Sequence, residues 1–410
     1  MVISEVPRAF RQPVSLKLTT NALLAVWVVV ASFPLVWIAV MSFKLPMDSF
    51  ANNPLQVLMG FETLQSAGGL STFQVMLWAS FAYIVFKAPG KYGAKLVSYL
   101  SSRSDMPRPQ WVSYSYAVGV YLLALAGGAF VVIPTVNFLA TFALGSIPFI
   151  GGLVEPIIGF TWQHYQSVWI DNGFYNQFTN SMIVTAGVVC ISLSIGTLAG
   201  YALSRTNSNL AFWLLIIALI LRALPHSVLV AGYLPAFINS SEILAPLWES
   251  AWTGWLFGLF SDTAPTLYGK PMAIIIVLVA INQPFTIWML RSFFQNIPQD
   301  LDEAAMVDGC TRFEAFRRAV LPVAWPGIIT AGLFSFLLGY NDFLVTSLLL
   351  DAQSQTMVPA ISQYFNRETT MTDQVEAVAA AVSITAPLFL LVIVFQKQIV
   401  SGLTQGAVKG

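Results

Sequence analysis

Eight long stretches of this chain carry almost no charge, and nothing constrains its fold more. They fall at about 21–43, 64–86, 112–138, 178–203, 210–237, 271–293, 326–350 and 376–397. Each is long enough to cross a hydrocarbon core about 30 Å thick as a helix. In lipid an unpaired amide or carbonyl finds no water, so such runs must close their hydrogen bonds internally. Composition agrees: 57% of the 410 residues are hydrophobic and only 9% charged, against about a quarter charged in a soluble domain. The expectation is an all-α polytopic membrane protein with about eight transmembrane helices.

Basic and acidic residues balance at 19 each, so net charge points to no nucleic acid and no acidic partner. Their placement is more informative. Arg8, Arg11 and Lys17 precede a first apolar run of more than 20 residues. A secretory signal has a core of only about 7–15 residues, so 21–43 is read as a retained first helix. Loops on the cytoplasmic side collect Lys and Arg. With residues 1–20 in the cytoplasm, 15 of the 19 basic residues fall on that side. Five of them lie in 87–111: Lys87, Lys91, Lys95, Arg103 and Arg108. Both termini, including the tail 401–410, are then cytoplasmic. The segment 143–160 is apolar but interrupted by Pro148, Gly151, Gly152, Pro156 and Gly159. It is read as re-entrant or interfacial, because a ninth span would invert the topology downstream.

Little in the chain suggests catalysis. Cys190 sits in a span and Cys310 in a charged loop, so neither a disulfide nor a metal site is expected. His164 and His226 lack a second ligand at metal-binding spacing. No phosphate loop of the form G-x-x-x-x-G-K-[ST] occurs, nor a G-x-S-x-G elbow or an H-E-x-x-H pair. Two aromatic sets, Trp162, Tyr165 and Trp169, and Trp248, Trp252 and Trp255, recur at helical spacing on the expected outer face. They are read as a headgroup-level belt, with stacking on sugar rings or on a binding protein as the sharper alternative. Two ionisable residues fall inside spans, where charge is costly and marks function by default. Arg222 is read as structural, pairing with a neighbour. Asp342, with Tyr340 and Asn341, is read either as structural or as lining the path of a polar solute.

The loop 298–322 stands apart. Asp300, Asp302 and Glu303 after Pro298 suit a helix start, where acids meet the positive end of the dipole. Gly309 interrupts the pattern, and Arg312, Phe313, Phe316 and Arg317 form a second short amphipathic stretch. Pro322 and Pro326 are expected to stop it and begin the next span. Ala304, Ala305, Met306, Phe313 and Phe316 lie among the charges. A solvated linker has no need of them, whereas a docking helix uses apolar knobs to fill a groove and charges to fix its register.

This spacing, Glu303-Ala304-Ala305, Gly309 and Leu321-Pro322, resembles the EAA motif of ABC importer permeases, with Ala319 where the family carries a larger aliphatic residue. Phe285–Arg291, Gly339–Phe343 and the tail Gly402–Gly410 are similar to the carbohydrate branch, in particular the second permease subunit of maltose-type systems. The resemblance covers a permease core at 160–400, the tail and the first helix. It implies that Glu303, Ala304, Ala305, Asp308, Gly309, Arg312, Arg317, Leu321 and Pro322 build a loop through which a separate ATPase drives the pore. This chain would bind no cofactor, the ATP and Mg being used by the partner ATPase. The implied partners are an ATPase subunit dimer, a second homologous permease, an external solute-binding protein and membrane lipid, in a bacterial inner membrane. The implied function is alternating-access import of an oligosaccharide or polyol. Such permeases have six core helices, so 50–155 reads as an inserted region with two spans and the basic loop 87–111. Its role stays open between a positive-inside anchor, a site for anionic lipid and a contact for an accessory subunit. The alternative classes are an ion-coupled secondary transporter, which calls for midplane charges and repeats and leaves 298–322 unexplained, and an accessory membrane protein without a pore.

Overall fold

The computed structural model describes residues 14–102, 110–147, 151–206, 208–250, 252–259, 261–366 and 370–407. Arg8, Arg11, Arg103, Arg108, Pro148 and Lys409 lie outside the described residues. In chain order the elements begin with α1 (Val14–Met41), α2 (Pro46–Ser49), α3 (Pro54–Met59), α4 (Phe61–Ala67), β1 (Gly69–Ser71) and α5 (Thr72–Ser102). Next come α6 (Gln110–Gly127), α7 (Ile133–Leu144), β2 (Pro156–Gly159), α8 (Gln163–Gln166), α9 (Phe174–Ser204), α10 (Asn209–Arg222), α11 (His226–Ile238) and α12 (Ser240–Glu249). The chain continues through α13 (Gly254–Phe257), α14 (Pro271–Gln295), α15 (Asp300–Val307) and α16 (Arg312–Ala315). It closes with α17 (Leu321–Asn341), α18 (Leu344–Leu349), α19 (Met357–Asn366) and α20 (Met371–Ala407).

Six helices among the described residues are long and apolar enough to cross a membrane: Ser15–Met41, Tyr116–Leu144, Phe174–Ser204, Pro271–Gln295, Arg312–Asn341 and Met371–Gln396. Parts of α11 and α12, bent by 51°, make a seventh if they are one broken span, and α10 and Thr72–Val85 are shorter apolar helices. Several expected boundaries move, each for a local reason. The span expected at 64–86 starts only at Thr72, because Gly68, at φ 86°, turns the chain into β1. Residues 87–102, expected as loop, continue α5. The run 210–237 breaks after Arg222: Pro225 offers no amide hydrogen and disfavours a helical residue before it. The run 326–350 ends at Asn341, where Asp342 turns extended. Pro322 and Pro326 do not stop the preceding helix. A π turn, Phe316–Val320, carries α16 directly into α17, with Pro322 in the tolerated first turn and Pro326 inside.

The fold divides into two units, formed by the described residues of Met1–Ala79, Val132–Ser167 and Glu368–Ser383, and of Ser80–Val131, Val168–Arg367 and Ile384–Gly410. The inserted region 50–155 is therefore shared between both units rather than forming a body of its own.

In the first unit the chain leaving α1 is tied to the segment 156–167. β1 and β2 pair antiparallel, with Gly69 opposite Gly159 and Leu70 opposite Ile158. This small ribbon is the one pair of β-strands among the described residues, and β2 occupies the end of the segment 143–160. The Thr161 amide donates to the Phe43 carbonyl (2.9 Å), and Phe43 stacks on Phe160. Buried Lys44 donates its ammonium to the Gly159 carbonyl. Its own carbonyl accepts from His164 Nε2 (3.0 Å), which must therefore carry the proton. Asp48 accepts the Thr63 amide and hydroxyl, both at 2.7 Å. Burial raises the Asp48 carboxyl, but those bonds, with the Glu62 amide and Gln56, outweigh it and hold the group below the usual carboxylate range. His164 is lowered, chiefly by burial.

The second unit is built on α9, α14 and α17. Lipid gives helices no hydrophobic reason to associate, so close contact depends on small residues. Gly196 and Gly200 provide it on α9: a Cβ at Gly196 would meet the Thr286 methyl at 2.7 Å, and one at Gly200 the Arg291 backbone nitrogen at 3.0 Å. Between α14 and α17 the Asn282 amide donates to the Ser335 hydroxyl at 2.7 Å.

Burial lowers the Lys44 ammonium from 10.5 to about 8, against partial support from Asp48. Between pH 8 and 10.5 the unfolded chain holds this proton and the folded chain does not, so folding is increasingly favoured as pH rises through that window. Below it the cost of the buried charge is fully present. The thermal midpoint of wild type minus that of Lys44→Met, which has nothing to titrate, should climb from pH 8 to 10.5; a flat difference refutes the assignment.

Candidate functional site

The loop between α14 and α17 is an ordered helix–turn–helix. α15 carries Asp300, Asp302 and Glu303 in its first turn. It ends in a Schellman turn: Gly309 sits at φ 92°, its amide donates to Met306, and the Cys310 amide donates to Ala305, both at 3.0 Å. That left-handed position is the reason for glycine, since a Cβ there would touch nothing within 4 Å. α16 then starts with a capping box, in which the Glu314 amide donates to the Thr311 hydroxyl and the Thr311 amide to the Glu314 carboxylate. The Glu314 carboxylate also meets Arg318 at 3.3 Å.

What fixes this loop to the spans is a buried ion pair. Asp302 faces inward from α15 and meets Arg205 at the end of α9, Nη2 to Oδ2 at 2.8 Å and Nε to Oδ2 at 2.9 Å. Tyr201 donates its hydroxyl to the other carboxylate oxygen at 2.5 Å. Arg205 Nη1 also donates to the Phe294 carbonyl at 3.0 Å, satisfying a last-turn acceptor of α14. One guanidinium thus joins α9, α14 and the loop. Phe316 wedges beneath, its ring 4.5 Å from Tyr201 and 6.2 Å from Phe294. Its side chain is buried, so it anchors the loop and is not a docking knob as the sequence suggested.

The opposite face is open. Glu303, Ala304, Met306, Asp308, Gly309, Arg312, Phe313, Arg317 and Pro322 are exposed, while Ala305 and Leu321 are half-buried. Val307, unmarked in the sequence reading, is 87% exposed and Phe313 63%. Charged side chains flanking bare apolar ones make a surface suited to a partner's groove. Asp302 and Arg205 were missed too. The available signal was an acid at 302 beside Leu301 and Ala305, on the apolar side of an amphipathic helix, where a carboxylate must find a cation.

A family described as binding-protein-dependent transport system inner membrane component matches residues 192–405. The chain belongs to this family. It is a multi-pass permease subunit of an ABC importer, and such subunits leave ATP hydrolysis to a separate ATPase. The diacetylchitobiose uptake system permease protein DasC of Streptomyces coelicolor is 30% identical over 252 residues, covering 61% of this chain and 81% of that protein. The trehalose/maltose transport system permease protein MalG of Thermococcus litoralis is 33% identical over 231 residues, covering 56% and 74%. The crystal structure of a bacterial ABC transporter that imports the acidic polysaccharide alginate aligns over 72% of this chain and 99% of that one, at a TM-score of 0.42 and 18% identity.

The permease's intramembrane candidates separate in the structure. Tyr340 is 1% exposed and donates to the Ile384 carbonyl at 2.8 Å. It is a core residue, which removes it from the expected solute path. Asn341 is exposed. Asp342 Oδ1 accepts the Thr346 amide at 3.0 Å, satisfying a free donor in the first turn of α18. Among the described residues Arg222 meets no carboxylate; its guanidinium lies 4.6 Å from the centre of the Phe285 ring.

Removing one partner of a buried ion pair costs about 3–5 kcal/mol. Asp302→Ala should therefore release residues 300–320 to fast amide exchange while α9 and α14 stay protected, and Asp302→Leu with Arg205→Met should restore most of the protection. Unchanged exchange in Asp302→Ala refutes the clamp. Gly309→Ala, strained by its φ alone, should cost about 1–2 kcal/mol, read as a lower thermal midpoint.

Proposed function

We propose that this permease forms half of the membrane pore of an ATP-driven importer of a carbohydrate, an oligosaccharide or polyol. Relatives named for diacetylchitobiose and for trehalose and maltose support the substrate class. The observation that carries the coupling role is the clamped loop 298–322, held rigidly on one side and bare on the other. A segment that must pass a partner's motion to the spans needs both properties. On this reading Glu303, Ala304, Ala305, Asp308, Gly309, Arg312, Arg317, Leu321 and Pro322 shape the contact with one subunit of an ATPase dimer, which consumes ATP and Mg. Met306, Val307 and Phe313 add the apolar knobs.

A second homologous permease completes the pore, and an external solute-binding protein delivers the sugar in a bacterial inner membrane. Both termini lie in the cytoplasm, on the side of the loop. Closure of the ATPase dimer draws the two coupling loops together and opens the pore outward; hydrolysis returns it. Residues 160–400 form the permease core. Within it Asn341 and Asp342 remain candidates for the solute path. The region 50–155 is an addition to that core, and its basic portion 87–111 anchors it on the cytoplasmic side.

Glu303 and Val307 are exposed, so their replacement spares the fold. Tagged permease extracted in mild detergent should bring down an ATPase, and Glu303→Lys or Val307→Asp should lower the recovered ATPase and ATP-driven uptake at least tenfold with the permease level unchanged. Equal recovery from wild type and both variants would sink the coupling role of this surface.

A further inference from the structure

We infer that Arg222 holds an acidic group on the imported solute, so that the saccharide carried is an acidic one. The inference rests on the carbohydrate-import reading and narrows it. Arg222 is the last residue of α10, whose first is Asn209. At 1.5 Å per residue this puts it about 20 Å along the helix, too deep for its side chain to reach the headgroups beside Asn209. Intramembrane charges of this kind face a bundle interior or a polar cavity and pair there. Among the described residues the Arg222 guanidinium makes no hydrogen bond and no ion pair, and it lies over the face of Phe285 at 4.6 Å. Other arginines of the same unit behave differently. Arg205 is spent on Asp302 and the Phe294 carbonyl. Arg291, which also lies over a ring, that of Phe212, donates to the Leu203 carbonyl at 3.3 Å. Arg222 therefore keeps its fork of donors, the geometry that takes a carboxylate or sulfate two bonds at a time.

The surroundings supply the other half of a sugar site. Phe285 lies 5.7 Å from Phe334, edge to face, and 6.2 Å from Trp288. Trp288 is 46% exposed and Phe334 37%. An open aromatic surface takes the C–H face of a pyranose ring, while the guanidinium takes the acid attached to it. A carboxylate on the sister permease would satisfy the charge but leaves the row of rings without a use. The chain also breaks here, at Ala223–Pro225, and non-helical backbone at membrane depth occurs where it is buried in protein or lines a cavity.

The test uses the assembled importer in liposomes, with its sister permease, ATPase and solute-binding protein. Partial hydrolysates of a neutral glucan, a polyuronate and a sulfated galactan are offered together with ATP, and the accumulated species are identified by mass spectrometry. Wild type should accumulate carboxylated or sulfated oligosaccharides in preference to neutral ones. Arg222→Gln should cut that accumulation at least tenfold while ATP hydrolysis stimulated by the binding protein persists, and Arg222→Lys should retain part of it. Preferential accumulation of neutral sugars overturns the inference and leaves carbohydrate import standing. Accumulation of acidic sugars unchanged in Arg222→Gln also overturns it. ATP-dependent accumulation of no saccharide at all overturns both readings. The wild-type cargo decides the point even where Arg222→Gln fails to assemble.

Discussion

The pairing of Arg205 with Asp302 is the contact on which the placement of the loop 298–322 depends. A charge removed from water must be matched closely or it destabilises the fold. Here the match is close: a guanidinium hydrogen bond from Nε and an ion-pair contact from Nη2 to one carboxylate oxygen, a tyrosine hydroxyl on the other, and a helix-end carbonyl accepting from Nη1. The partners come from three elements, so the pair holds only while α9, α14 and α15 keep their relative places. The exposed face of the loop inherits that rigidity. Without it Glu303, Val307 and Phe313 would sit on a linker with no fixed place against the spans.

Beneath the clamp, small residues do the complementary work. Gly196 and Gly200 let α14 approach α9 until side-chain methyls and backbone meet, and the Asn282–Ser335 hydrogen bond joins α14 to α17 in a setting without competing water. Phe316 closes the lower end against Tyr201 and Phe294. Dispersion, interhelical hydrogen bonds and an ion pair are thus distributed along the bundle, so helices that lipid solvates equally well apart are held in register.

The spans were legible because long uncharged runs admit few alternatives in lipid. Their interruptions were less so. Gly68, Pro225 and Asp342 each break a run that remains apolar on both sides, and apolar content alone does not register a turn. The ribbon escaped notice because strands of three and four residues leave no periodicity to read. The loop's helix–glycine–helix pattern was visible in Gly309 and the acids after Pro298. The clamp was not, because Arg205 and Asp302 lie 97 residues apart and each looks locally ordinary, one a positive-inside charge and the other a first-turn acid. Phe316 was misassigned for a related reason: an aromatic residue among charges reads as a knob until its pocket, built by Tyr201 and Phe294 from distant segments, is known. Tyr340 likewise needed Ile384 to declare it part of the core.

The continuity from α16 into α17 changes how a push on the loop must travel. A proline stop after α16 would have placed a flexible joint between the docking surface and the span. Instead the π turn at Phe316–Val320 leads into α17 with Pro322 in its first turn, and Arg312–Asn341 runs as a single helix of 30 residues. Such a rod is about 45 Å long, enough to carry a tilt across the whole bilayer. Near the loop Phe316, Val320 and Ala324 pack against Leu290, Phe294 and Ile297; at its far end the chain turns at Asp342, whose carboxylate holds the first turn of α18. Val345 and Leu349 of α18 pack in a core with Val184 and Val188 of α9 and Ile274 and Leu278 of α14. The loop surface at Val307 and Phe313 and the turn after Asn341 thus stand at the two ends of one continuous helical path, which is interrupted only by the π turn and Pro326.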